Sequence, residues 1–250
     1  MDTLNINQIL NRCSIKEKIR EILDYFEKNK KNLLTKRGIY IYGNPGSGKS
    51  HFIKEILKEL DYDMIMYDAG DIRNKSIIDT ITKHNMSDQN ILSMFYGKKK
   101  KLVIVMDEID GMNSGDKGGI NSLIKLIRPK KTKKQKLEDV TLNPIICIGN
   151  YHIDKKIKEM IKICETVELK NPTDVQIKNI INILMPKLEE NLKEKMMVFI
   201  QGDLRKLKST YDIYKNQESI LKNQLIQNMF HQKNYNEDVK NIIRKLLNNK

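Results

Sequence analysis

Cysteine is scarce in this 250-residue chain: Cys13, Cys147 and Cys164 are an odd number with no paired spacing. That argues against a disulfide scaffold or a thiolate-rich metal site, and it suits a reducing, intracellular compartment. Long apolar runs are missing too. No stretch approaches the ~20 residues that span a bilayer, so no membrane partner is expected. The N-terminus, MDTLNINQILNRCS, lacks the basic and apolar regions of a secretory signal. His51, His84, His152 and His231 have no ligand spacing, and no internal repeat is visible. Acidic residues are outnumbered, 32 against 46 basic ones, for a net charge of +14. Net charge speaks to partners, not to fold. One reading is a nucleic-acid backbone, whose neutralisation releases counterions. The other is compositional, a chain rich in Lys, Asn and Ile of the kind an A/T-rich genome encodes. The excess is mostly lysine, a point charge without arginine's planar fork, which favours backbone contact over base reading.

What is present is globular in balance, with 39% apolar and 31% charged residues, and length for one large or two modest domains. Ile15, Ile19, Ile22, Leu23 and Phe26 follow a helical period, and Ser14 with Glu17 has the form of a capping box. GIYIYG then reads as a buried strand, followed by a helix over 49–60 and a strand over 64–67. Helices are expected at 76–83 and 88–96. KLVIVM, 101–106, is the clearest buried strand, and GGINSLIKLI is an apolar-faced helix closed by Pro129. PIICIG, 144–149, and TVEL, 166–169, complete the strands, with Cys147 as core packing. Strands alternating with helices predict a parallel α/β sheet covered on both faces. After Asn171-Pro172 the spacing predicts helices alone, over 173–185, 188–199, 203–215, 218–229 and 236–248.

The chemistry sits at strand ends. GNPGSGKS, that is Gly43, Asn44, Pro45, Gly46, Ser47, Gly48, Lys49 and Ser50, is a complete phosphate loop between a strand and a helix. Its backbone N–H groups wrap phosphates at the positive end of a helix. Lys49 is placed to reach the β- and γ-phosphates, and the Ser50 hydroxyl to ligate Mg²⁺. Asp107 and Glu108 end the KLVIVM strand, at the sheet edge where ligands bind. Asp107 is expected to hold Mg²⁺, and Glu108 to orient and polarise the attacking water. Together the two motifs predict an NTPase. Asn150, at the tip of PIICIGN, is open between a sensor of phosphate or water and a turn residue. Arg205 in GDLRKLK is open between reaching back to the phosphates and lying on a solvated basic face.

These residues, in this order, resemble an AAA+ P-loop ATPase of the clamp-loader group, and within it the large subunit of replication factor C. DAGDIRNKS (68–76) resembles the family's Asn-Ala-Ser-Asp box, with Asp68 and Gly70 where Asn and Ser are usual. MDEIDGMNSGDKGGINSLIKLI (106–127) is similar to the large-subunit stretch that runs from the acidic pair into a helix. NPIICIGN (143–150) resembles the sensor 1 strand and GDLRK (202–206) the sensor 2 helix.

The resemblance implies four segments. Residues 1–35 form an N-terminal helical segment packing on the ATPase core, 36–171 the ATPase domain, 172–216 a helical lid, and 217–250 a short helical segment read as a reduced collar. It implies ATP and Mg²⁺ as cofactors, with Glu108, Lys49, Arg205 and Asn150 as the catalytic set. The implied partners are smaller AAA+ subunits that supply an arginine finger in trans, a sliding clamp, and primer–template DNA held by its phosphate backbone. Where the family carries its own finger, in a Ser-Arg-Cys motif, this chain has Lys162-Ile163-Cys164, an absence that large subunits share. Lys75 and Lys117 are placed to face DNA, with helix N-termini offering further N–H groups. The lysine run at 130–136 reads as a flexible surface loop, either solvated or touching DNA or a partner. Composition and shortness suggest a compact subunit from an A/T-biased genome, such as that of a large DNA virus. Work would then be in a nucleus, a cytoplasmic replication site or a viral factory. A replication initiator, a helicase loader or a structural nucleotide-binding subunit are the alternatives.

Overall fold

The β-branched, glycine-bounded run GIYIY forms β1 (Gly38–Tyr42), a central strand of a five-stranded parallel sheet. A computed structural model describes residues 6–68, 100–110, 119–138, 140–151 and 155–216. The other strands are β2 (Tyr62–Tyr67), β3 (Lys101–Met106), β4 (Ile145–Gly149) and β5 (Glu165–Glu168), in the order β2-β3-β4-β1-β5. Every pairing is parallel, so all strand C-termini lie along one edge. β2 starts two residues ahead of the expected span, and β5 is displaced by one.

Both sheet faces are apolar, which is why the strands read as unbroken hydrophobic runs. On one face Ile39, Ile41, Val103, Val105, Ile146 and Ile148 pack with Ile19 and Leu23 of α2 (Cys13–Lys28) and Phe52, Ile53, Ile56 and Leu57 of α3 (Lys49–Glu59). On the other, Tyr40, Ile104, Met106, Ile145 and Cys147 pack with Leu123 and Ile127 of α4 (Gly119–Ile127) and Ile157 and Met160 of α5 (Lys155–Ile163). The alternation along each strand is period two with both faces covered. Cys147 and Cys164 are buried here. Burial pushes both thiols up, Cys164 to about 12, so they are protonated packing groups.

The chain divides between Asn171 and Pro172 into two compact units. The second is helical among the described residues: α6 (Asp174–Leu184), α7 (Glu190–Ile200) and α8 (Leu204–Asn216). Thr173 opens it with a capping box, its hydroxyl accepting from the Gln176 N–H at 3.3 Å while the Gln176 side chain accepts from the Thr173 N–H at 2.9 Å. Ile177, Ile181, Met196, Ile200 and Leu207 are buried in this unit.

Three expectations change. The capping box at Ser14 and Glu17 is not formed: α2 begins at Cys13, its N-cap is Arg12, and no side chain caps it. Two short helices are additional, α1 (Ile6–Ile9) and the lysine-rich α5. The 130–136 run is an anchored turn, not a free loop. Lys130 is buried and donates to the Lys125 carbonyl at 2.5 Å and to Glu138 at 3.0 Å, and the segment closes in a 3₁₀ turn over Gln135–Leu137. The helices expected at 76–83, 88–96, 218–229 and 236–248 lie outside the described residues.

At the start of β1 a side chain has no room. A Cβ on Gly38 would meet Ile127 Cγ2 at 2.5 Å and Cys164 Sγ at 2.6 Å. Gly38→Ala is therefore expected to destabilise the α/β unit by about 1–3 kcal/mol, as overpacked cores do. Urea unfolding checks this; an unchanged midpoint would refute it.

Candidate functional site

β1 delivers Gly43 to the C-terminal edge of the sheet, and the loop Gly43–Gly48 turns there into α3. Gly46 (φ 78°) and Gly48 (φ 83°) hold left-handed conformations that side chains resist, and Gly48 is the N-cap of α3. Gly43 is required for closeness: a Cβ there would lie 2.2 Å from the Leu169 carbonyl oxygen. Asn44 and Pro45 are exposed, while Gly46 and Ser47 are buried. The first N–H groups of α3 have no partner within the helix, so the loop presents an electropositive cradle.

Lys49, 9% exposed, holds its ammonium at the mouth of this cradle. It donates to the carbonyls of Gly43 and Asn44, each at 2.9 Å, and to Asn150 Oδ1 at 3.1 Å. These acceptors are neutral, and charged phosphate oxygens bind an ammonium more strongly. Ser50 is half-buried in the first turn of α3. The Ser47 hydroxyl is buried with no hydrogen-bond partner among the described residues. The chemistry of such a cradle suits a triphosphate: it offers N–H groups, an ammonium and hydroxyls.

Two strands over, the Asp107 N–H donates to the Tyr67 carbonyl at 2.8 Å, which continues the β2–β3 ladder past its end. The Asp107 carboxylate accepts from the Glu108 N–H at 3.0 Å, and Glu108 is exposed with φ 53°. That left-handed turn takes the chain sharply off the strand tip. β4 lies between β3 and β1, so Asn150 falls between the acidic pair and the loop. Asn150 donates through Nδ2 to Asp110 Oδ2 at 2.8 Å while accepting from Lys49. A line of hydrogen bonds thus joins Lys49, Asn150 and Asp110.

Two residues at the site were missed from sequence. Asp110 had a weak signal, as the third acid of DEID. Arg12 had none. It is 4% exposed, lies over the Phe52 ring at 5.5 Å, and donates to the Ser47 carbonyl at 2.7 Å, tying α2 to the loop. Burial lowers its pKa to about 10, partly opposed by Glu55, so the guanidinium stays charged at neutral pH. Arg205 stands exposed in the first turn of α8, in the helical unit, its N–H donating to Asp203 at 2.8 Å. At the expected finger position, Lys162 is exposed near the end of α5 and Cys164 is buried. Lys75 and Lys117 lie outside the described residues, as does the box at 68–76 beyond Asp68. Among the described residues no group of three or more His, Cys, Asp or Glu side chains forms a metal cluster, and no helix is long and apolar enough to cross a membrane.

Known proteins resemble the chain in sequence and in fold. The model of the ATPase family associated with various cellular activities (AAA) matches residues 39–169, just over half of the chain. The chain is 26% identical over 223 residues to Replication factor C subunit 1 of Saccharomyces cerevisiae, covering 81% of this chain and 25% of that protein. It is 25% identical over 201 residues to the Replication factor C large subunit of Nanoarchaeum equitans, covering 78% of this chain and 43% of that one. The chain therefore spans between a quarter and under half of these relatives. Among solved structures, the Thermotoga maritima RuvB Holliday junction branch migration motor has the same fold, with a TM-score of 0.55 at 14% identity over 87% of this chain and 67% of that one. Neither replication relative is viral, so they lend no support to a viral source.

Arg12→Met keeps the apolar stem and removes the donor to the Ser47 carbonyl. A lost charged hydrogen bond is worth about 1.5–3 kcal/mol. Affinity for a fluorescent ATP analogue should fall by roughly tenfold or more if that bond shapes the loop. Unchanged affinity in equilibrium titration would show that the loop holds its form alone.

Proposed function

The chain belongs to the ATPase family associated with various cellular activities (AAA), and from that premise we propose that it is a clamp-loader subunit of the replication factor C large-subunit type. In this role it binds and hydrolyses ATP within a ring of smaller AAA+ subunits, to place a sliding clamp on primer–template DNA. The observation that carries the catalytic part is the bonded line Lys49–Asn150–Asp110 beside Asp107 and Glu108. The assignment to clamp loading is supported by the similarity to replication factor C large subunits in a yeast and an archaeon.

In this reading the loop Gly43–Ser50 wraps the phosphates, and the Lys49 ammonium exchanges the carbonyls of Gly43 and Asn44 for β- and γ-oxygens. Asn150, losing Lys49, remains tethered by Asp110 and presents its amide to the γ-phosphate or the attacking water. Glu108 orients that water in line and takes up its proton. Ser50 and Asp107 are the residues that would hold Mg²⁺, which when bound neutralises charge on the β- and γ-oxygens. Arg205 serves as the lid arginine on the phosphates, with 172–216 as the lid. Lys75 and Lys117 contact the DNA backbone.

The finger acts in trans in this reading: with no arginine at 162–164 the chain donates none, and its own site receives one from a neighbour. An arginine finger is worth about 10³–10⁵ in rate where GTPases use one. The isolated chain should therefore hydrolyse ATP slowly, and addition of the smaller subunits should raise the rate by orders of magnitude.

Glu108→Gln separates hydrolysis from binding. ATP affinity should stay within about twofold while turnover in the assembled complex falls by ~10² or more, the scale of a lost general base. Lys49→Ala should lose ATP binding itself. Both are read by nucleotide titration and phosphate release. A Glu108→Gln complex that still turns over ATP and releases clamp normally would favour a structural nucleotide-binding subunit.

A further inference from the structure

The turn between α4 and β4 carries Lys131, Lys133, Lys134 and Lys136 within six residues, all exposed. Several lysines elsewhere on the surface are paired: Lys16 with Glu59, Lys36 with Glu165, Lys100 with Asp61, Lys156 with Glu159. The four of the turn have no acidic partner among the described residues. The reason is a sorting of charge. Glu138 is held by Arg128 and by Lys130, which is 0% exposed, and Arg128 holds its carboxyl below the usual range. Glu138 thus faces inward, and these four cations face out.

The turn is also held rigid. The Lys130 N–H donates to the Leu33 carbonyl at 2.8 Å, anchoring one end to the stretch ahead of β1. Buried Arg37 donates to the Thr141 carbonyl at 2.6 Å, anchoring the other. Inside it, the Gln135 side chain accepts from the N–H groups of Lys131 (3.0 Å) and Thr132 (3.1 Å), while the Thr132 hydroxyl accepts from the Gln135 N–H (3.2 Å). Burying Lys130 and Arg37 is costly unless their charges find partners; Glu138 and the Lys125 carbonyl meet Lys130, and three carbonyls meet the two terminal nitrogens of Arg37. The result is a basic knuckle whose ordering on binding is largely complete beforehand.

We propose that this knuckle is a nucleic-acid contact that grips the phosphate backbone without reading bases. Protein interfaces are depleted in lysine, and the knuckle has neither arginine nor an aromatic ring to anchor one, whereas point charges suit phosphates. Leu137, 89% exposed beside Lys136, offers an apolar contact to sugar. The turn joins the C-terminus of α4 to the N-terminus of β4, so it leaves the sheet at the edge opposite Gly43–Ser50. The contact is therefore separate from the nucleotide site and does not depend on the clamp-loader reading.

The test uses the full chain and a labelled 20-base-pair DNA duplex, followed by fluorescence anisotropy across a salt series without nucleotide. Lys131, Lys133, Lys134 and Lys136 are changed together to Gln, with Lys28, Lys54, Lys58 and Lys158, also exposed, changed to Gln as a charge-matched control. The knuckle variant should bind roughly tenfold or more weakly at about 100 mM salt. Its slope of log K against log salt should fall in magnitude by about 2–4, near 0.9 for each phosphate no longer neutralised. The control should lose much less, and both should keep ATP binding. Glu138→Gln adds a unit of positive charge yet frees the anchor, so it should weaken DNA binding. Equal losses in knuckle and control variants, or tighter binding by Glu138→Gln, would overturn the proposal and leave an acidic protein surface as the occupant to test. Loss of ATPase in a complex that retains the knuckle effect would count against the clamp-loader reading alone.

Discussion

The register of β1 against β4 is the constraint on which the rest depends. Gly38 pairs with Ile145 and Tyr42 with Gly149, so the residues that follow, Gly43 and Asn150, leave the sheet side by side. A slip by one residue would turn every side chain of β4 to the opposite face. It would expose one apolar set to the wrong helices and carry Asn150 away from Lys49. Packing on both faces therefore sets the geometry of the site. The energy that holds Asn150 within 3.1 Å of the Lys49 ammonium comes from isoleucines 39, 41, 146 and 148 as much as from the hydrogen bond itself.

Buried cations recur where the chain leaves regular structure. Arg12 fixes the phosphate loop through the Ser47 carbonyl, Arg37 joins Lys30, Asn32 and Thr141, and Lys130 joins Lys125 and Glu138. Each donates to at least one backbone carbonyl at or beyond the end of an element. In a chain of net charge +14, cations are the abundant donors, and three of them work as internal clasps. Removing one strips a buried carbonyl of a charged donor, which costs more than the bond contributed on balance.

The phosphate loop was legible because its eight residues are contiguous and its chemistry needs glycine at particular turns. KLVIVM matched its strand to the residue, since an apolar run directly ahead of Asp107 has one satisfactory burial. Element edges were less legible. Tyr62 and Asp63 belong to β2 through pairing with Lys101 and Leu102, which nothing in their own neighbourhood announces. The false capping box at Ser14 shows the converse: a local pattern was present, but Arg12, drawn toward the loop, begins the helix earlier.

Contiguous sequence was thus enough to name the loop, the acidic pair, the alternating strands and the family they resemble, because short-range sterics and burial periodicity determine them. The tertiary structure alone decided that Asp110 holds Asn150 across 40 residues, that Arg12 holds Ser47 across 35, and that a run of lysines is a clasped knuckle with Glu138 turned inward. Those contacts join segments distant in the chain. Their partners are chosen by how the sheet is packed, and no local pattern records that choice.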